Sequence, residues 1–325
     1  MEENVFQNRV DLSELQQAVA RIKQEVNKII VGQDEMIELL IAAILADGHV
    51  LIEGVPGVAK TLAAKLLSRT MSVGFSRIQF TPDLMPSDII GTSVYNLKTS
   101  DFEFKQGPLF SHIILIDEIN RAPAKTQSAL FEAMEERQIT VDGKTYPLEA
   151  PFIVLATQNP VEQEGTYRLP EAQLDRFVFK IEVDYPTLEQ ETKIIADYHS
   201  RRNTVDITLV NSVMNATDVK EYRNKVSQVH IDANLISYIA KVVNQTRNNT
   251  SLYLGASPRA SLSILSTAKA IAAMRGRDFV TPDDIKFVAT PVLKHRVMLT
   301  PEKEMEGLST NDVVKQIIEK IEIPR

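Results

Sequence analysis

Eight residues, Gly54-Val55-Pro56-Gly57-Val58-Ala59-Lys60-Thr61, constrain what this chain can fold into more than any other segment. An apolar run, Val50-Leu51-Ile52, leads into them, and an amphipathic one, Leu62 to Leu67, leaves them. A strand, a glycine-rich turn and a helix in that order make a phosphate loop. Amides freed by the tight turn, together with those of the first helical turn, converge on one anion. Lys60 adds a point charge for the β- and γ-phosphates, and the Thr61 hydroxyl is placed for Mg²⁺. The usual pattern has Gly directly before the Lys, where this chain has Ala59. Alanine carries only a methyl group, and a negative φ is expected at the helix start, so toleration is expected. An ordinary strand-to-helix turn containing Lys-Thr would look the same in isolation, so the rest of the chain has to decide.

Short apolar strands recur at 49–52, 75–80, 113–116, 152–156 and 177–183, separated by helical stretches. Such alternation implies a parallel sheet covered on both faces, hence a three-layer α/β domain. Two helices precede it: one over 11–29, with Leu12, Leu15, Val19, Ile22, Val26 and Ile29 at helical spacing, and one after Gly32. Tyr185-Pro186-Thr187 breaks the pattern, and 188–325 reads helical throughout. Ser257-Pro258 and Thr281-Pro282 each place a capping hydroxyl before a Pro at the first helical position. With 325 residues the chain can hold two cores. The expected division is a nucleotide domain over 1–185, a hinge near 186, and a smaller all-α domain over 186–325.

Composition excludes several classes. No cysteine is present, so neither disulfides nor thiolate metal sites can form. No apolar run approaches a membrane span; Leu39 to Ala46 ends at Asp47. The N-terminus, Met1-Glu2-Glu3-Asn4, is acidic and leads into no signal-type stretch. A soluble, cytoplasmic protein is expected. The net charge of −7 disfavours nucleic acid as the principal partner, because such binders carry a basic surplus.

Chemistry gathers at the expected strand ends. His112-Ile113-Ile114-Leu115-Ile116-Asp117-Glu118 is a buried strand delivering two carboxylates. Asp117 can hold Mg²⁺, usually through water, and Glu118 can polarise the water that attacks a γ-phosphate. The strand over 152–156 ends in Thr157-Gln158-Asn159-Pro160, and Asn159 is the side chain expected between nucleotide and water. Alternatively, it is only a turn residue before Pro. Arg176, in Leu174-Asp175-Arg176-Phe177, can complete the site of a neighbouring subunit or pair locally with Asp175. Arg259, after Pro258 at the start of a helix in the second domain, suits an Arg that grips phosphate and reports lid closure.

Taken together, these segments resemble the MoxR family of AAA+ ATPases. The resemblance is carried by Gly54 to Thr61, by Ile116-Asp117-Glu118-Ile119-Asn120-Arg121-Ala122-Pro123, and by Ala156-Thr157-Gln158-Asn159-Pro160. Glu162-Gln163-Glu164-Gly165-Thr166-Tyr167, Leu174-Asp175-Arg176-Phe177 and Ser257-Pro258-Arg259-Ala260 complete it, so that it spans about residue 28 to 295. It implies that ATP is bound by Gly54, Val55, Pro56, Gly57, Val58, Ala59, Lys60, Thr61 and Leu62, the Walker A region, with Ala59 usual for the family. Val31-Gly32-Gln33 resembles the segment beside adenine. Asp117 and Glu118 correspond to Walker B, with Thr61 and Asp117 on Mg²⁺; Asn159 corresponds to sensor 1, Arg259 to sensor 2, and Arg176 to the arginine finger. Arg168 stands where relatives commonly carry Pro, which leaves the finger open between Arg176 and Arg168.

The resemblance also implies a ring, usually a hexamer, and partners carrying von Willebrand factor A domains. Two hairpins are expected, one within Thr81 to Leu109 and one over Gln138 to Leu148 turning at Asp142-Gly143. They would face the ring's pore or cover the sheet edge. The expected role is ATP-driven remodelling, assembly or metal-cofactor insertion of a partner protein. The alternatives are a nucleotide-switched scaffold with slow turnover and a nucleic-acid-associated motor.

Overall fold

The computed structural model describes residues 10–55, 57–159, 167, 169–202, 204 and 206–323. Helices α1 (Ser13–Asn27) and α2 (Asp34–Leu45) precede β1 (His49–Gly54) and α3 (Lys60–Thr70). Next come β2 (Phe75–Gln79), α4 (Pro86–Ile90), β3 (Gly91–Asn96), β4 (Asp101–Gln106) and β5 (Ile113–Asp117). Helix α5 (Ala124–Glu136), strands β6 (Gln138–Val141), β7 (Lys144–Pro147) and β8 (Ile153–Gln158), α6 (Glu171–Leu174) and β9 (Phe177–Val183) follow. The remainder is α7 (Leu188–Ser200), α8 (Ala216–Ser227), α9 (Ala233–Arg247), β10 (Leu252–Leu254), α10 (Pro258–Met274), α11 (Pro282–Leu293), β11 (Met298–Leu299), α12 (Pro301–Met305) and α13 (Thr310–Lys320).

Five strands form one sheet in the order β2-β5-β8-β1-β9, every pairing parallel. Alternate side chains leave a strand on opposite faces, and here both faces are apolar. Ile113 and Leu115 of β5 enter one core with α1, α2 and α3, while Ile114 and Ile116 enter a second core with α5. Residues 153–156 of β8 divide in the same way. After β1 the chain crosses to the far edge at β2 and works back inward, so the strand order reverses beside β1. Ligands in such sheets bind at the carboxyl ends of the strands at that reversal.

Both expected hairpins form. Strands β3 and β4 pair antiparallel from Gly91↔Gln106 to Asn96↔Asp101, and β6 and β7 from Gln138↔Pro147 to Val141↔Lys144. The two-residue loop of the second has φ +51° at Asp142 and +73° at Gly143, the positive pair that a tight hairpin turn demands. The hairpins pack on each other through a stacked Phe104–Tyr146 pair, 4.3 Å between centroids, and a Ser93–Asp142 hydrogen bond of 2.5 Å.

The C-terminal part is helical apart from the short antiparallel pair β10–β11, which the sequence reading did not anticipate. Residues of α8, α9, α10 and α11 share the first core with α1, α2, α3 and β9. Arg296, 7% exposed, fastens the joint: Nε donates to Asp175 Oδ1 (2.7 Å) and Nη2 to Phe177 O (2.6 Å). No helix among the described residues is long and apolar enough to cross a membrane.

Candidate active site

The loop after β1 brings its groups together by tight backbone geometry. A side chain at Gly54 would meet Val183 O at 2.7 Å, so only glycine lets β1 lie this close to β9 there. Gly57 has φ +90°. Ala59, just before α3, has φ +62° and ψ 17°, which corrects the expected negative φ. A methyl group in the left-handed region costs about 1–2 kcal/mol, which is the physical reason for the glycine usual at this position. Lys60 Nζ reaches back to donate to Gly54 O at 2.5 Å. Partial burial lowers its pKa, opposed by the negative charges of Asp117, Glu118 and Glu53, so these groups lie within electrostatic reach of one another. An anionic oxygen would be a stronger acceptor for Lys60 than a carbonyl. Pro56 lies outside the described residues.

At the tip of β5, Asp117 is buried; Oδ2 accepts from Arg77 Nε at 2.6 Å and Oδ1 from the Thr157 hydroxyl at 3.3 Å. Glu118 follows with φ +58°, a second strained position. Its amide donates to Thr157 Oγ1 (3.1 Å), and its Oε2 accepts from Gln79 Nε2 (2.9 Å) and Arg121 Nε (3.0 Å). Strand β8 lies between β5 and β1, which sets Asn159, the residue after its last, between the Asp117 tip and the phosphate loop. Among the described residues no group of three His, Asp or Glu side chains is poised to hold a metal unaided. The Asp117 carboxylate and Thr61 hydroxyl are hard oxygen donors, the set that suits a Mg²⁺ keeping waters and phosphate oxygens.

Sequence reasoning missed Arg77, Gln79 and Thr157. The signal was present: in Phe75-Ser76-Arg77-Ile78-Gln79 the long polar side chains alternate, and Gln79 pairs in register with Asp117.

Beside the loop lies a largely apolar cavity of about 180 Å³, lined by Val31, Gly57, Val58, Ala59 and Leu62, by Ile194 and Tyr198 from α7, and by Arg201 just after it. Gly32 is not on its wall. A side chain there would meet Gln190 at 2.3 Å, so this glycine instead permits the close approach of α7. The α7 contribution was not foreseen, although an amphipathic helix with no fully buried residue invites a partner.

Arg176 and Arg259 are brought together, but not at the phosphate loop of their own chain. Both line a cavity of about 400 Å³ with Gly48 and His49, at the start of β1. Gly54 and Lys60 lie at the other end of that strand, about 16 Å away at ~3.3 Å per residue. Arg259 therefore does not grip phosphate within its own subunit, which corrects that part of the sequence reading. The cause is Asp175: it accepts from Arg296 and also from Ser257 Oγ (2.9 Å), tying the start of α10 beside β9. Arg176 pairs not with Asp175 but with Glu135, which also accepts from Arg259 Nη2 at 2.8 Å. Arg168 lies outside the described residues, as do 160–166.

Residues 49–179 match the model of the ATPase family associated with various cellular activities (AAA), and residues 244–317 match the AAA lid domain. The chain is 44% identical to the uncharacterized protein YeaC of Bacillus subtilis, across 96% of each chain. It is also 44% identical to Chaperone MoxR1 of Mycobacterium tuberculosis, over 93% of this chain and 81% of that one. Protein MoxR of Methylorubrum extorquens is 28% identical over 96% and 97%. A crystal structure from Cytophaga hutchinsonii, described as that of a candidate ATPase, superposes with TM-score 0.88 at 45% identity, covering 96% and 97%.

Proposed function

Because the chain belongs to the MoxR family of AAA+ ATPases, we propose that it hydrolyses Mg²⁺-bound ATP in a site completed by a second copy and turns that cycle into work on a client protein. The reading divides the chain at 185/186 into a nucleotide-binding domain and a helical lid. The observation that carries it is a separation. Lys60, Asp117 and Glu118 gather at one end of the sheet, while Arg176 and Arg259 stand together at the other. A ring of copies set head to tail would bring one copy's arginines to the next copy's phosphate loop.

In this mechanism adenine enters the cavity between Val31, Leu62 and α7. The loop amides from Gly57 to Thr61 and the Lys60 ammonium bind the phosphates. Thr61 and Asp117 would hold Mg²⁺, which offsets phosphate charge when bound. Asp117 must then give up Arg77, its partner here. Glu118 accepts a proton from the attacking water once it leaves Gln79 and Arg121, and Asn159 helps orient that water. Arg176 and Arg259 of the neighbour spread the charge that builds on the transferred phosphoryl group, an effect worth about 10³–10⁵ in rate for an arginine finger. The two stacked hairpins would pass the change to the client in a cytoplasmic hexamer, by remodelling, assembly or metal-cofactor insertion. The name of the MoxR1 relative, a chaperone, supports a protein client. A client with a von Willebrand factor A domain is the specific candidate.

Lys60→Ala should abolish nucleotide binding, and Glu118→Gln should bind ATP, stay assembled and not turn over. Fluorescent-nucleotide titration and phosphate release measure both. Micromolar binding by Lys60→Ala, or wild-type turnover by Glu118→Gln, would remove the assignment.

A further inference from the structure

We propose that Glu135 is a positioning residue: it holds Arg176 and Arg259 as a pair aimed at a neighbouring copy's triphosphate. The proposal rests on the shared-site reading above. One carboxylate oxygen takes Arg176 Nη1 and the other takes Arg259 Nη2. A guanidinium has five N–H donors, so each arginine keeps most of its donors for a second acceptor.

The surrounding charges favour an anion as this second acceptor. Along the same cavity Arg296 is matched by Asp175 (2.7 Å), while Arg137 (3.3 Å) shares Asp47 with Arg223 (2.9 Å). Arg176 and Arg259 share one carboxylate, which leaves a positive charge unmatched among the described residues. Burial, and after it the charge of Arg259, lowers the pKa of Arg176. Two like charges stay side by side only with something between them. The Arg259 side chain is half exposed, so the pair is open to an incoming oxyanion.

Glu135 itself sits in the last turn of α5, where the helix dipole opposes a negative charge. Its position does nothing for the helix, and the two arginines account for it. The backbones of both partners are already fixed, since Asp175 precedes Arg176 and bonds Ser257, the cap of α10. What remains free is the spacing of the two side-chain tips, and Glu135 sets it.

Full-length Glu135→Gln tests this with little change of shape. Ring assembly and ATP binding should persist, with KM for ATP within about twofold and kcat down about 10- to 100-fold, the effect of losing a charge-assisted hydrogen bond. Mixed rings locate the defect. Glu135→Gln with Lys60→Ala should regain turnover, because an intact loop then meets intact arginines. Glu135→Gln with Arg176→Ala should not, since both spoil the same face. Wild-type kcat, a loss carried by KM alone, or rescue by Arg176→Ala would overturn the proposal. Should Arg176→Ala and Lys60→Ala fail to rescue each other in verified mixed rings, the shared site itself falls, independently of Glu135.

Discussion

His49 shows how single residues set the limits of this fold. Its Nδ1 accepts from Val154 N (2.9 Å) and its Nε2 donates to Met134 O (3.2 Å), so the buried ring is held neutral. Burial, and then the charge of Arg137, push its pKa from 6.5 down to about 3. His295, also buried, is lowered for the same first reason, with Arg296 adding to it. Below pH ~6.5 the unfolded chain takes up protons that the folded chain refuses, so stability falls as pH drops from there towards 3. A group shifted this far costs about 2 kcal/mol by pH 5. Denaturant midpoints measured from pH 7 to 4.5 should fall steadily, and His49→Gln should make that slope shallower by about one proton; an unchanged slope would show that the ring titrates normally. At this scale the sequence announced Lys60, Asp117 and Glu118, because motif spacing places them. It could not announce the left-handed backbone of Ala59 and Glu118, which only the closed loop and strand end impose.

Among the elements, the junction of β9 with α10 and α11 decides where the lid's arginine stands. Arg296 bonds Asp175 from 121 residues away, and no local pattern in the sequence signals a contact of that range. The central strands β5 and β8 were legible because four-residue aliphatic runs, Ile113 to Ile116 and Ile153 to Ala156, have few other uses. The second hairpin was legible because Asp142-Gly143 fits its turn. The β10–β11 pair, three residues against two, carries no periodicity to read. Arg296→Ala would strand Asp175 and free the start of α10. It should cost about 3–5 kcal/mol, as breaking a buried ion pair does. Thermal unfolding and the ATPase of the same preparation would both fall; unchanged stability would mean that the joint is held by the apolar core alone.

For the whole molecule, the phosphate loop and the arginine pair face opposite ends of one sheet, which on the proposed reading makes a single copy the carrier of two half-sites. That arrangement also shows why Arg259 could not be placed from sequence: spacing proposes which residues matter, while packing decides where they stand. The central claim is that two copies build each hydrolytic site. Steady-state phosphate release per subunit, measured across a dilution series with the assembled fraction followed by sedimentation, tests it most directly. Turnover should rise from near zero in step with assembly. Equal turnover per subunit in strictly monomeric and assembled protein would contradict it.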